Sequence, residues 1–233
     1  MFLSECDSTN TQLKRLLAMG EAIDYIYAGY QTAGRGQTGN GWESERGKNL
    51  ICSILLPPEK NLYFLNIAAG VAVHRTVSGL VDEGVSGFTV KWPNDIYFED
   101  KKLAGILVEN AIIGSEVRYA IAGIGLNVNQ TEFRSDAPNP ISLRQIMGRE
   151  YDVHELMQQL LAAMHAVLAE PEQEVWDYYR AHLYRREGYW PYEDADGLFR
   201  ARIEDVLQTG ELVLRDEENR KRIYHFKQIR YVL

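Results

Sequence analysis

The sixteen residues from Gly34 to Asn49 constrain the chain most. They contain five glycines, three cations and Trp42, and no aliphatic side chain, so they have nothing with which to bury themselves in a core. Polar stretches of this length inside a compact domain are uncommon and are either disordered or functional. The segment is flanked by Ile23 to Gln31, rich in tyrosine and isoleucine, and by Leu50 to Leu56, which Pro57-Pro58 stops. Both flanks read as strands. A loop between two strands excludes the nucleotide motifs it imitates. Gly34-x-Gly36-x-x-Gly39 has dinucleotide spacing but no following helix. Gly41 to Gly47-Lys48 has one intervening residue too many for a P-loop, and Asn49 replaces the hydroxyl that would hold magnesium. Two readings stay open: a plain surface loop, or one whose N–H groups, Arg35 and Trp42 close over an anion joined to a flat group.

The rest of the chain has the apolar content of one large or two unequal globular domains: 233 residues, 45% hydrophobic. A net charge of -8 argues against non-specific nucleic-acid binding. No run is long enough to cross a bilayer, and the first residues lack the basic flank of a signal peptide, so a cytoplasmic protein is expected. Cys6 and Cys52 are isolated in sequence and read as buried free thiols.

Helical spacing is expected after Asp7-Ser8-Thr9-Asn10, through Leu13, Leu16 and Leu17, and again from Leu65 to Leu80. Phe88 to Trp92 alternates as a strand, with Lys91 on the face opposite Val90 and Trp92. Pro93-Asn94-Asp95 turns into a meander through Ile96–Phe98, Leu103–Ile113 and Val117–Val128. Asp152 and Glu155 open a helix carrying Leu156, Leu160 and Met164, and a second carries Val175, Trp176, Tyr179 and Leu183. Beyond a boundary near Arg186, short strands at 198–206, 211–215 and 222–226 predict a small β barrel. The expected fold class is α+β, with residues 1–186 as one mixed-sheet domain and 187–233 as the barrel.

Four constellations carry chemistry. The glycine loop is one. Lys91-Trp92-Pro93-Asn94-Asp95 offers a cation and side-chain oxygens of the kind found at magnesium-nucleotide sites, although Pro-Asn-Asp is also an ordinary turn. Lys102 opens a strand weakened by Gly105. Gly123, Gly125, Asn127 and Asn129 share one strand face, which suits a flat ligand against bare backbone. There is no Ser-His-Asp set and no metal cluster, so the collection positions anions and stabilises charge.

Taken in order, Asp7-Ser8-Thr9-Asn10, Gly34-Arg35-Gly36 through Trp42-Glu43-Ser44, Gly47-Lys48-Asn49-Leu50, Lys91-Trp92-Pro93-Asn94-Asp95, Lys102 through Glu109 and Gly125-Leu126-Asn127-Val128 resemble the biotin protein ligases, the biotin-[acetyl-CoA-carboxylase] ligases. The resemblance implies a biotin/lipoate ligase-like catalytic domain with an SH3-like barrel after it. It implies activation of biotin by MgATP to biotinyl-5'-AMP and transfer to a lysine of a biotin carboxyl carrier domain.

By the same resemblance, Ser8, Thr9, Asn10 and Gln31 hold the biotin head group, with Gly105 and Gly123 lining its slot. Gly34, Arg35, Gly36, Gln37 and Lys102 surround the biotin carboxylate, with Arg35 and Lys102 catalytic. Asn40, Trp42, Lys91, Asn94, Asp95 and Asn127 serve ATP, and Asp95 its Mg2+. The chain starts at the catalytic domain, so neither a helix-turn-helix repressor domain nor DNA binding is expected, and a homodimer is left open. Many relatives carry arginine where this chain has Gln37 and Asn40, so the adenylate is expected either to be held less tightly or to be clamped by another cation such as Arg46 or Lys48. The loop itself is expected to be mobile when empty and to fold over biotin and adenylate. A lipoate or octanoate ligase and a non-catalytic biotin sensor are the competing readings.

Overall fold

The structure is a computed structural model describing residues 1–36, 41–58, 60–82, 84–113, 116–135 and 139–232, the side chains of 111–118 excepted. The first sheet has seven strands: β1 (Phe2–Leu3), β2 (Tyr25–Ala28), β3 (Leu50–Leu56), β4 (Phe88–Lys91), β5 (Asp95–Phe98), β6 (Lys101–Ile113) and β7 (Glu116–Leu126), in the order β1-β2-β3-β7-β6-β5-β4. The β1–β2 pair is parallel and the others antiparallel, which makes the sheet mixed, as expected. The expected strand Ile23–Gln31 is shorter, and its parallel partner β1 is too short to have a period in the sequence.

Helices cover the two faces unequally. On one side lie α2 (Leu62–Ser78), α4 (Val153–Ala169) and α5 (Glu172–Ala181). Asn61 caps α2 by accepting from the Tyr63 and Phe64 amides. This helix is apolar nearly all round because it is wedged between the sheet and the other two helices. Leu65 and Ile67 are 1% and 0% exposed, and burying each such side chain contributes about 1.5–3 kcal/mol. On the other face, α1 (Thr9–Ala18) turns Leu13 and Leu17 onto Ile26 and Ile121. It is short, and the sheet beyond its N-terminus stays open. A further short helix, α3 (Leu143–Met147), has a Ser142–Gln145 capping box that the sequence reading passed over.

The second unit is a five-stranded antiparallel sheet of the SH3-like kind: β8 (Trp190–Asp194), β9 (Gly197–Val206), β10 (Leu212–Asp216), β11 (Lys221–Tyr224) and β12 (Arg230–Tyr231), in the order β11-β10-β9-β8-β12. Strands β8 and β12 escape the sequence reading, one carrying Pro191 and four polar or aromatic residues, the other only two residues long. Asp216 is fully buried here, and the Arg220 and Arg222 side chains with the Arg220 amide hold its carboxyl at about 2 against the pull of burial. Residue 186 lies between α5 and β8, yet the hydrophobic core runs unbroken through both units. Trp92 Nε1 donates to the Gly210 carbonyl at 3.0 Å, Arg180 Nε to Asp205 at 2.7 Å and Arg185 Nη2 to the Val232 carbonyl at 2.9 Å, so the barrel is tied to the Lys91–Asp95 turn through Trp92 and to α5 and the segment after it through the two arginines. No helix among the described residues is long and apolar enough to cross a membrane.

His74, on α2, is 3% exposed. Its Nε2 lies 3.0 Å from the Phe88 carbonyl and Nδ1 3.0 Å from the Tyr178 hydroxyl. A carbonyl only accepts, so Nε2 carries the proton and Nδ1 receives the Tyr178 O–H. Burial lowers this imidazole from 6.5 to about 4, despite the Phe88 bond. Between those values the unfolded chain binds a proton that the folded chain refuses, so stability is lost as pH falls from 6.5 to 4. The loss should reach about 3 kcal/mol. Denaturant unfolding at pH 7 and pH 4.5 checks it: the pH-dependent loss should be smaller in His74→Gln by most of that amount.

Candidate active site

The open part of the sheet, bounded by the α1 N-terminus and the barrel, forms a cavity of about 690 Å³, a size that suits a small-molecule ligand. Its floor is bare because of register. Gly105 pairs with Gly125 across β6 and β7, and Leu107 with Gly123, so the glycines adjoin on one face. A Cβ at Gly125 would stand 2.3 Å from the Trp42 indole, one at Gly105 3.0 Å from it, and one at Gly123 2.5 Å from Asn10 Oδ1. The backbone is bare because side chains from elsewhere lie flat on it.

One end of the cavity is polar. Ser8 stands at the N-cap of α1 but makes no capping bond, which leaves its hydroxyl for another partner. The Thr9 amide and hydroxyl both donate to Gln31 Oε1, at 2.7 and 3.1 Å. Asn10 Nδ2 donates to Glu109 Oε2 at 2.7 Å, and Ser53 Oγ to Asn10 Oδ1 at 2.5 Å. Arg35 reaches Thr11 Oγ1 at 3.1 Å and Glu109 Oε2 at 3.5 Å. Burial pushes the Glu109 carboxyl up, but Asn10, Lys14 and Arg35 outweigh it and the group is held below its ordinary value.

The other end is cationic. Lys102 Nζ is 2.8 Å from Asp95 Oδ2 and 5.8 Å from the centre of the Trp42 ring. Lys91 Nζ donates to the Tyr97 hydroxyl at 3.0 Å, between the Tyr97 and Tyr231 rings. Burial brings Lys91 down to about 8, although Asp95 nearby raises it. A cation lost near pH 8 sets a limb on any reaction that needs it. Anion-dependent turnover, measured as kcat/KM for the anionic substrate, should fall as pH rises through about 8. In Lys91→Arg that limb should move beyond pH 10, because guanidinium stays charged.

Of the expected site residues, Ser8, Thr9, Asn10, Gln31, Arg35, Gly36, Trp42, Lys91, Asn94, Asp95, Lys102, Gly105 and Gly123 line this one cavity. Gly34 does not line it. A Cβ there would come 2.6 Å from the Trp42 carbonyl, so its role is to let the loop ends close, with the Trp42 amide donating to the Gly34 carbonyl at 3.1 Å. Asn127 departs from expectation. It is buried below the cavity, and its amide donates to the Ile141 carbonyl at 3.1 Å. Asn94 faces the cavity but donates its amide to the Ile106 carbonyl, tying the turn to β6. Gln37 and Asn40 lie outside the described residues. Neither Arg46 nor Lys48 lines the cavity. Arg46 pairs with Glu5 and lies 4.5 Å over Tyr30, while Lys48 lies 3.7 Å from Glu150.

Sequence reasoning missed Tyr97 and the barrel residues Phe226, Lys227, Ile229, Arg230, Tyr231 and Val232, which close the cavity at its cationic end. It also missed Glu109 and Ser53 as partners of Asn10. No local pattern marks them. Covalent catalysis by a thiol is not offered. Burial, then Asp7, pushes Cys6 up to about 11, and burial pushes Cys52 higher still. Cys6 is only half-buried, contrary to expectation. Among the described residues no three metal-ligating side chains cluster. Asp95 stands as a lone carboxylate, enough for magnesium that arrives on a nucleotide's phosphates. The arrangement is suited to a polar ring at one end and an anion at the other.

The profile of the biotin/lipoate A/B protein ligase family matches residues 3–127. The biotin-[acetyl-CoA-carboxylase] ligase of Mycobacterium tuberculosis is 33% identical over 170 residues, 70% of this chain and 62% of that protein. That of Paracoccus denitrificans is 29% identical over 168 residues, 69% of each chain. The chain spans about half the length of the first curated relatives it matches. Among solved structures, the biotin protein ligase of Aquifex aeolicus in complex with biotin and ATP superposes with a TM-score of 0.80 at 25% identity, covering 100% of this chain and 98% of that one. With the profile spanning more than half of the residues and carrying the Ser8–Asn10, Arg35, Lys91–Asp95 and Lys102–Gly105 constellations, this chain belongs to the biotin/lipoate A/B protein ligase family.

Proposed function

We propose that this chain is a biotin protein ligase, which activates biotin with MgATP and transfers it to a lysine of a carboxylase's biotin carboxyl carrier domain. The observation that carries this reading is the polar end of the cavity, where the free Ser8 hydroxyl, the Asn10 amide and the Gln31 carboxamide stand together. The ureido ring of biotin both donates and accepts hydrogen bonds, whereas a lipoyl dithiolane does neither. A site built from buried polar groups rejects a ligand that leaves them unpaired. The relatives named as biotin-[acetyl-CoA-carboxylase] ligases, and the Aquifex structure with biotin and ATP, support the same choice.

In this reading the bicyclic ring lies against the Asn10 and Trp42 side chains that cover the glycine floor, and the valeryl chain runs toward Lys102. A carboxylate oxygen of biotin attacks the α-phosphorus of ATP, the bond to the bridging oxygen breaks and pyrophosphate leaves. Lys102, with Arg35 swung from Glu109, offsets the charge of two anions brought together, which is where such donors contribute most. Lys91 faces the polyphosphate, Trp42 packs on the adenylate, and Asp95 supplies a carboxylate to the magnesium carried by the nucleotide. The carrier lysine, as free amine, then attacks the carboxyl carbon of the mixed anhydride. AMP leaves, an amide forms and the amine gives up its proton. We assign residues 1–186 to this chemistry and 187–233 to closing its cationic end, and place the reaction in the cytoplasm. Incubation with MgATP and either biotin or lipoate, followed by mass analysis of the acyl-adenylate, tests the proposal. Biotinyl-AMP is expected; a lipoyl adenylate without it would overturn the reading.

A further inference from the structure

The two ends of an asparagine amide have nearly the same shape, so only its neighbours decide which way round it sits. At Asn10 the neighbours are unambiguous. Glu109 Oε2, 2.7 Å away, accepts and cannot donate, so it faces Nδ2. Ser53 is 0% exposed, and its hydroxyl therefore donates to Oδ1 at 2.5 Å. The sheet register builds this clamp. Ser53 on β3 pairs with Gly123 on β7, and Glu109 on β6 stands two pairs beyond Leu107, which faces Gly123 from the other side. Gly123 supplies the space in which the amide lies against backbone. What remains unspent on Asn10 is one N–H and one lone pair, at the wall of the cavity.

Without Glu109 nothing would enforce that orientation. Lys14 and Arg35, both donors, stand beside the carboxylate at 3.2 and 3.5 Å, and Ser53 can accept as well as donate. A flipped amide, with Oδ1 toward the two cations and Nδ2 toward Ser53, would then be equally satisfied. It would present the cavity with its donor and acceptor exchanged.

We propose that Glu109 is the positioning residue for ligand recognition: it fixes the polarity of the Asn10 edge that reads the donor–acceptor pattern of the ureido ring. Glu109 acts through Asn10 and need not touch the ligand. The inference rests on the biotin reading above and names what makes that end of the cavity selective. It also separates two roles of one carboxylate, since the pairing with Arg35 and Lys14 depends on its charge and the orientation of Asn10 only on an accepting oxygen.

Two substitutions distinguish those roles. Glu109→Ala removes the oxygen, and the dissociation constant for biotin, measured by calorimetry, should rise about tenfold or more. The KM for ATP should stay within twofold and the melting temperature within a few degrees, because Lys14, Arg35 and Glu109 are all partly exposed. Glu109→Gln loses the charge but keeps an oxygen facing the three donors, so biotin affinity should return to within about threefold of the unaltered protein. Unchanged biotin affinity in Glu109→Ala would overturn the proposal. So would Glu109→Gln binding as weakly as Glu109→Ala, since charge and not amide polarity would then be what matters. If the unaltered protein binds no biotin and forms no biotinyl-AMP, the functional reading falls and this inference with it; if it does both and the variants fail as stated, only the inference falls.

Discussion

Lys102→Ala is expected to lower the proposed biotin adenylation by about 100- to 1,000-fold and to leave the fold standing. The magnitude is that of removing one preorganised donor from a developing charge. Lys102 stands between Asp95 and Trp42, 28% exposed at its side chain, in a site more desolvated than bulk water but reachable by substrate. Among the described residues its ammonium pairs with Asp95, and an arriving carboxylate or phosphate competes for it. Stability depends on it little. The Lys102–Asp95 pair is partly exposed on both sides, and pairs of that kind contribute less than about 1 kcal/mol. The main-chain bonds of residue 102, from its amide to the Asn139 carbonyl and to its carbonyl from the Ile141 amide, are untouched by alanine. Single-turnover pyrophosphate release with a parallel melting curve decides the matter. Near-normal release would remove Lys102 from the chemistry, and a collapsed melting temperature would mean that its role in the fold had been misjudged.

The second large effect is expected at Gly123. Alanine there places a methyl 2.5 Å from Asn10 Oδ1 and 2.9 Å from its Cγ, distances that require something to move. Asn10 is held on one side by Glu109 and on the other by Ser53, and its own backbone opens α1, so it cannot yield without breaking the clamp. Biotin affinity in Gly123→Ala should fall by about 100-fold, the cost of losing one or two buried hydrogen bonds. Gly105→Ala is the control. There the methyl would meet Trp42 at 3.0 Å and the flexible end of Lys102 at 3.3 Å, and both can shift by a few tenths of an ångström. Calorimetry on the two variants should therefore rank Gly123→Ala well below Gly105→Ala; equal affinities would mean that the glycine floor is set by packing and not by the Asn10 clamp.

Much of this fold was legible before any coordinates. The apolar run from Leu65 to Leu80 corresponds to α2 and the alternation of Phe88 to Trp92 to β4, because length marks the one and the period of two the other. Asp152 does cap α4, accepting from the His154 and Glu155 amides. What escaped was short or locally ambiguous: β1 and β12 have two residues each, and β8 carries a proline. Leu183 was read into a helix but lies beyond α5, bridged to Val90, since one leucine in register with Tyr179 cannot say where a helix stops.

The candidate site divides in the same way. The amino-acid sequence by itself determined that Gly34–Asn49 cannot be core, and that Lys91–Asp95 and Lys102–Gly105 put cations and a bare backbone beside turns. These follow from side-chain chemistry and from periods of two and 3.6 residues, which are properties of neighbours in the chain. Only the tertiary structure decided that Asn10 meets a carboxylate 99 residues away, that Gly105 adjoins Gly125, that Asn127 lies beneath the cavity, and that Phe226 to Val232 close it. Those pairings depend on strand register and on the seating of the barrel, and both are set by apolar burial summed over a core that spans the whole chain. No single segment carries enough of that energy to announce its partner.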